Sequence, residues 1–252
     1  MATPAGNSRA AVVDSCRRFA DAADVTDAEL LQRLSSDPWF ANLAPADRAA
    51  LVDGSDALHF RAGEYVFRQG DAPSGFYGVA AGSLKVSSLR EDGKEAILTV
   101  LDPGQWFGEL SSIDGLPRTH DVTALQPATV RRVKPAAFDR LMRSHAFAHA
   151  IAVLQAAHAR AVFAMLEDVA LRSLRARVAR RLLWMAHGIA GNGAARERIA
   201  ITQDRLAMML GITRQTLAQE LRAIATEGAV AMGYGRIEIV SVEKLRAIGG
   251  IG

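Results

Sequence analysis

Cysteine is almost absent. Cys16 is the single one in 252 residues, which excludes an internal disulfide and any iron-sulfur cluster ligated by cysteines of one chain. No run of 18 apolar residues free of charge occurs, so no membrane span is expected. The opening MATPAGNSRAAVVDSCRRF lacks the long apolar core of a signal peptide. Together these absences predict a cytoplasmic, reducing compartment. Proline and glycine are missing from residue 138 to residue 187, which removes the usual helix breakers from a 50-residue stretch.

Half of the residues are apolar, enough for ordinary packed cores in one large or two modest domains. The net charge is only +3, but it is unevenly spread. Residues 170–252 hold 13 Lys+Arg against 6 Asp+Glu, a local +7, and the remainder of the chain carries −4. A basic final third points to a polyanion partner for that third.

The texture changes along the chain. Residues 1–28 read as a weakly ordered leader without a strong period. Trp39, Phe40, Leu43 and Leu51, broken by Asp37-Pro38 and Ala44-Pro45, read as short helices in front of a domain. From His59, short β-rich runs alternate with turn signals at Gly63, Gly70, Gly82, Gly93 and Gly104, and Glu91-Asp92-Gly93 reads as a hairpin turn. Such a pattern describes a jelly roll or barrel-like β domain.

In the proline-free stretch, Ile151, Leu154, His158, Ala161 or Val162, Met165 and Val169 step by threes and fours. That is a seam for another helix, and its length predicts pairing between two subunits. Leu174, Val178, Leu182, Leu183 and Met185 begin a second helical pattern that ends at His187-Gly188, and GIAGNGAARER then reads as a linker.

Residues 201–230, ITQDRLAMMLGITRQTLAQELRAIATEGAV, read as a helix-turn-helix. Thr202 caps a helix over Gln203 to Leu210, Gly211 suits a left-handed turn, and Thr213 caps a second helix to about Ala225. Leu206, Ala207, Leu210, Ile212, Leu217, Leu221 and Ile224 form the shared core, with Ala207 small where the helices cross. The opposite face of the second helix carries Arg214, Gln215, Ala218, Gln219 and Arg222. Arg can bridge guanine O6 and N7, and Gln can bridge adenine N6 and N7. The candidate DNA-binding set is therefore Thr202, Gln203, Thr213, Arg214, Gln215, Thr216, Gln219 and Arg222, with the threonine hydroxyls meeting phosphates. VAMGYGRIEIV reads as a wing.

The stretch FGELSSIDGLPRTH, from Phe107 to His120, places an isolated acid and an isolated base among glycines. With the helix-turn-helix it makes residues from about 37 to 248 resemble the Crp/Fnr family of bacterial transcription regulators. The resemblance implies an α+β architecture. It consists of an N-terminal double-stranded β-helix (jelly-roll) sensor, a long dimerisation helix and a C-terminal winged helix-turn-helix. The expected boundaries are a leader at 1–36, a cyclic-nucleotide-binding-like β-roll at 37–145, a dimerisation helix and hinge at 146–187, and the DNA-binding domain at 188–252.

The cyclic-nucleotide-binding members carry a phosphate cassette that Phe107, Gly108, Glu109, Leu110, Ser111, Pro117, Arg118 and Thr119 match. The resemblance implies that Arg118 neutralises a cyclic phosphate, that main-chain N–H groups after Gly108 face it, and that Glu109 accepts a ribose hydroxyl. Thr119 would donate to a phosphate oxygen or to the base. Val162 and Phe163 stand where cyclic-AMP-reading members carry a hydroxyl pair, so they would pack on the base without hydrogen-bonding it, and cyclic AMP and cyclic GMP both stay open. The expected ligand set is Gly108, Glu109, Leu110, Ser111, Arg118, Thr119, Val162 and Phe163. The implied partners are a cyclic nucleotide, a DNA operator, a second copy of the chain and RNA polymerase, with no covalent cofactor and no membrane.

Three alternatives accompany this reading. A family member can bind DNA independently of nucleotides. A haem or redox sensor would need metal ligands, and His145 and His149, four apart on one helix, offer two. Hydrolysis would use Ser111 or Ser112 beside His120, but no G-x-S-x-G elbow is present.

Overall fold

Asp37 and Ala44 each precede a proline, whose fixed φ suits the first turn of a helix. Both sites start one in the structure, a computed structural model that describes residues 32–35, 37–89, 95–187, 197–199, 201–233 and 235–251. Helix α1 spans Pro38–Ala41 and α2 spans Pro45–Asp53; the Asp37 carboxylate caps α1 by accepting the Trp39 N–H at 2.7 Å. The expected leader at 1–28, Cys16, the Glu91-Asp92-Gly93 turn and most of the 188–198 linker lie outside the described residues.

The glycine-punctuated region forms eight strands: β1 Ser55–Phe60, β2 Tyr65–Phe67, β3 Phe76–Ala81, β4 Leu84–Leu89, β5 Glu95–Leu101, β6 Trp106–Phe107, β7 Asp121–Ala124 and β8 Ala128–Val133. They make two four-stranded antiparallel sheets, ordered β1-β8-β3-β6 and β2-β7-β4-β5. The expected hairpin is β4–β5, with Leu89 opposite Glu95, and Lys85 pairs with Glu95 on its surface. Alternate residues point between the sheets, where Phe67, Tyr77, Val79, Leu84, Phe107, Val122 and Val130 close a core. Between β6 and β7 lies α3, Glu109–Asp114; after β8 comes α4, Pro135–Leu141.

Helix α5, His145–Leu171, is 27 residues long and is capped by Ser144. Its seam divides into two parts. Phe147, Ile151 and Leu154 are buried against the β domain, in a cluster with Phe40, Phe76, Trp106 and Phe138. Trp39 Nε1–H donates to the Ala150 carbonyl at 2.6 Å and ties α1 to the same helix. Beyond His158 the apolar residues turn outward: Val162, Phe163, Leu166, Val169 and Leu171 are each more than 60% exposed. By length and composition α5 could cross a membrane, but its first half is committed to the β domain.

Arg172 is extended and ends α5, and α6, Leu174–His187, follows; Arg180 on α6 lies 2.6 Å from Asp168 across the bend. The last third contains β9 Arg198–Ile199, α7 Gln203–Leu210, α8 Arg214–Thr226, β10 Val230–Gly233, β11 Arg236–Ile239 and α9 Val242–Ile248. The wing expected in VAMGYGRIEIV is the β10–β11 hairpin, with β9 on its far edge. Val178, Leu182 and Leu183 of α6 share one core with Leu206, Leu210, Leu217, Leu221, Ile224 and Leu245. Ile97 of β5 is buried in that same core, and Arg181 reaches the Leu98 carbonyl at 3.4 Å, so β5 is where the β domain meets the winged unit.

A Cβ at Gly78 would lie 2.9 Å from Cε2 of the buried Trp106 indole. Gly78→Ala therefore overpacks the roll, and the denaturant midpoint should fall by about 1–3 kcal/mol of stability. An unchanged midpoint would show that the indole can retreat.

Candidate functional site

Gly108 joins β6 to α3 in the left-handed region, at φ +85°. Its carbonyl and that of Gly75 receive Arg118: Nη1–H donates to Gly108 O at 2.7 Å and Nη2–H to Gly75 O at 2.6 Å. The guanidinium lies 4.3 Å from the Phe67 ring centroid and 5.5 Å from that of Tyr77. Arg118 is only 3% exposed, and its Nε is buried without a hydrogen-bond partner. Burial lowers its pKa from the ordinary arginine value, and the charges of Glu109 and Asp71 are among the effects that oppose this. Main-chain bonds from Gly70 N to Arg118 O and from Arg118 N to Asp71 O fix the residue's place.

The serines of the cassette are structural in this geometry. Ser111 Oγ donates to Pro117 O at 3.4 Å, and Ser112 Oγ to Gly108 O at 2.9 Å and Gly75 O at 3.1 Å. Each hydroxyl is thus engaged by main-chain carbonyls, and the His120 ring nitrogen instead faces Thr119 Oγ1 at 2.9 Å. That arrangement does not assemble the serine–histidine pair that hydrolysis needs. Leu110 is partly exposed on α3.

Glu109 is 5% exposed, and the structure gives it partners the sequence did not reveal. Its Oε1 accepts Nε2–H of Gln155 at 3.0 Å and lies 2.8 Å from His158 Nδ1, both on α5. Burial would lower the His158 pKa, but the bond and charge of Glu109, with a contribution from Asp37, outweigh it and raise it above the ordinary value. His158 was legible only as a member of an apolar seam. The available signal was two polar residues, Gln155 and His158, three apart on a face that is otherwise apolar. Val162 and Phe163, expected against the base, follow on the outward-facing half of α5.

His145 and His149 stack with ring centroids 6.4 Å apart, but among the described residues no cluster of three or more His, Cys, Asp or Glu could hold a metal.

In the last third, Thr202 caps α7 by accepting Arg205 N–H, and Thr213 caps α8 by accepting Thr216 N–H at 3.1 Å. Thr213 and Thr216 also share a hydroxyl bond of 2.8 Å. Gly211 takes φ +67°, the left-handed turn between the helices. Gln203, Arg214, Gln215, Ala218, Gln219 and Arg222 line one hollow of ≈ 540 Å³. The structure thus brings all but the threonines of the expected DNA-reading set together around one concavity.

Arg118→Ala removes the charged donor that the Gly75 and Gly108 carbonyls share with Ser112 Oγ, so it should lower the stability of the ligand-free β domain by roughly 1–3 kcal/mol. Thermal unfolding of the variant checks this, and an unshifted transition would mean that water replaces the guanidinium without cost.

Comparison with known proteins agrees with this two-part geometry. The cyclic nucleotide-binding domain family matches residues 57–145, and the Crp-like helix-turn-helix domain family matches residues 176–248. The chain is 28% identical over 214 residues to a CRP-like cAMP-activated global transcriptional regulator of Mycobacterium tuberculosis, covering 82% of this chain and 93% of the relative. It is 28% identical over 216 residues to the cyclic AMP receptor protein of Thermus thermophilus, covering 85% and 98%. A solved CRP-family transcriptional regulator from Thermus thermophilus superposes with a TM-score of 0.62 at 25% identity, covering 77% of this chain and 96% of that one. With a cyclic nucleotide-binding domain followed by a Crp-like helix-turn-helix domain, the chain belongs to the Crp/Fnr family of DNA-binding transcription regulators.

Proposed function

We propose that this regulator works as a homodimer whose affinity for a DNA operator is set by a cyclic nucleotide, cyclic AMP or cyclic GMP, bound in the β domain. The observation that carries the reading is Arg118, a buried cation beside Gly108 whose Nε lacks a partner. A buried unpaired donor on a charged group is costly, and an anionic oxygen satisfies it. Arg118 with Thr119 would hold the cyclic phosphate, and Glu109 would accept a ribose hydroxyl. Gly108, Leu110 and Ser111 would line that pocket, and Val162 and Phe163 would pack on the base. The names of the relatives, one cAMP-activated and one a cyclic AMP receptor, favour the adenine nucleotide.

The outward apolar half of α5 supports dimerisation, because five large side chains exposed along one helix match the seam of a paired coil. In the winged unit, Arg214, Gln215 and Gln219 would read base edges. Gln203 and Arg222 would flank them, and Thr202, Thr213 and Thr216 would face phosphates. A regulator of this build acts from the cytoplasm and contacts RNA polymerase. One observation favours a second reading, DNA binding without nucleotide control: Arg118 and Glu109 both have protein partners in the ligand-free chain.

Titration calorimetry with cyclic AMP and cyclic GMP separates the two. Saturable heat with one of them, lost in Arg118→Ala, is expected; no heat with either in the wild type would leave only the nucleotide-independent reading. On the DNA side, Arg214→Ala should weaken specific binding by about 1–3 kcal/mol and relax one base position. Equal weakening on every sequence would make Arg214 a phosphate contact. Phe163→Asp should shift the sedimentation mass from two chains to one, and a mass of one chain for the wild type would refute the dimer.

A further inference from the structure

The carboxylate read here as the ribose acceptor is already held from outside its own loop. Both bonds to Glu109 Oε1 come from α5, from Gln155 and from His158 one turn further on. The preceding turns of α5 are fixed to the β domain by Phe147, Ile151 and Leu154, whereas the following turns carry the exposed apolar stripe. His158 therefore stands at the boundary between the anchored half of the helix and the outward half. Both donors hold the same oxygen of a carboxylate that is only 5% exposed, so drawing that carboxylate toward a ligand stretches both bonds.

We propose that His158 and Gln155 are positioning residues that latch Glu109 to the long helix, and that an incoming ribose hydroxyl competes with His158 for this carboxylate, so that effector occupancy is transmitted to α5 together with the release of a proton. The inference rests on the nucleotide reading above. It adds which residues report occupancy to the helix, and how.

The sign of the proton linkage follows from the contacts. In the free chain the Glu109 bond and charge, and Asp37 at the start of α1, hold the His158 pKa above its ordinary value. Drawing Glu109 toward a ribose weakens that support, so the complex holds the proton less tightly than the free chain. Binding then expels a proton, and affinity falls as pH drops through the raised pKa of the free chain. The charged groups around the pair are Glu109 on α3, Asp37 before α1, and Arg118, whose guanidinium acts on Glu109. His120 lies beside Thr119 and Asp121, and burial pushes its pKa down, so it titrates in a lower window.

Calorimetry with cyclic AMP and cyclic GMP on the full chain, between about pH 8.5 and about pH 6, in two buffers of different ionisation enthalpy, tests the latch. The wild type should show net proton release, and its affinity should fall by up to about tenfold per pH unit at the low end. His158→Gln, which keeps a donor for Glu109 but cannot titrate, should bind with a nearly flat profile over the same range and no net release. A second readout needs no nucleotide: the His158 ring resonances of the free chain should titrate at lower pH in Glu109→Gln than in the wild type. Identical pH profiles for the wild type and His158→Gln overturn the latch while leaving the nucleotide reading standing. An absence of heat from the wild type at every pH overturns that reading, and the inference with it.

Discussion

A guanidinium keeps its charge at any pH a protein meets, so burying one obliges the surroundings to supply acceptors. At Arg118 the β domain supplies two main-chain carbonyls, Gly75 O and Gly108 O, and two aromatic faces, Phe67 and Tyr77. The glycines follow from that cage. Gly75 and Gly108 have φ of +146° and +85°, and a Cβ at Gly108 would lie 3.0 Å from Arg118 Nη1 and 3.1 Å from Tyr77. A side chain at 108 would push the charge off its acceptors, as well as straining the turn. The same arrangement leaves Nε without a partner, and it is this donor that the proposed cyclic phosphate would satisfy.

The long helix is where this local chemistry becomes a property of the whole chain. Its first three turns bury aromatic and aliphatic side chains on the β domain, and its fourth reaches the buried carboxylate. Past that point its large apolar residues Val162, Phe163, Leu166, Val169 and Leu171 are exposed, up to the bend at Arg172. Across the bend, Asp168 meets Arg180 at 2.6 Å, and Ile97 of β5 is buried among the residues of the winged unit. The winged unit is therefore joined to the β domain by two routes, one through α5 and one through the β4–β5 hairpin. A change in how α5 sits on the roll has to be accommodated at that second contact, because packed interfaces of this kind hold discrete arrangements more readily than continuous ones.

How much of this was legible in the sequence depends on whether the controlling interactions were local. Caps and turns are local: Thr202, Gly211 and Thr213 stand at their expected positions, and α8 ends at Thr226, one residue past the expected Ala225. Periodicity carried the β domain only in part: burial alternates over the first residues of β8, whereas five successive residues of β3 are buried. The cassette could be read as an acid and a base apart from one another. What it could not show is that Glu109 is reached from a helix 46 and 49 residues away. Nor did periodicity divide the α5 seam, since apolar spacing is the same whether the cover is the chain's own roll or another helix. Only the three-dimensional course of the chain assigns Ile151 and Leu154 to the roll and leaves Val162 exposed.

The basic final third shows a further constraint. Much of its acidic content is matched inside the unit: Arg175 pairs with Glu220 at 2.9 Å and with Glu227 at 3.5 Å, and Arg198 with Glu238 at 3.5 Å. Each pair cancels positive charge as well as negative, so the local excess of +7 stands and is carried by the basic residues outside these pairs. Arg214 is paired as well, with Asp204 at 3.7 Å, but both side chains are more than 60% exposed. An exposed pair of this kind contributes about 0–1 kcal/mol, much less than a bidentate contact with a guanine edge. Asp204 therefore costs the regulator little when DNA arrives. Arg214 lines the hollow with Gln215 and Gln219, and a pair this weak leaves it free to turn toward the base edge proposed for it.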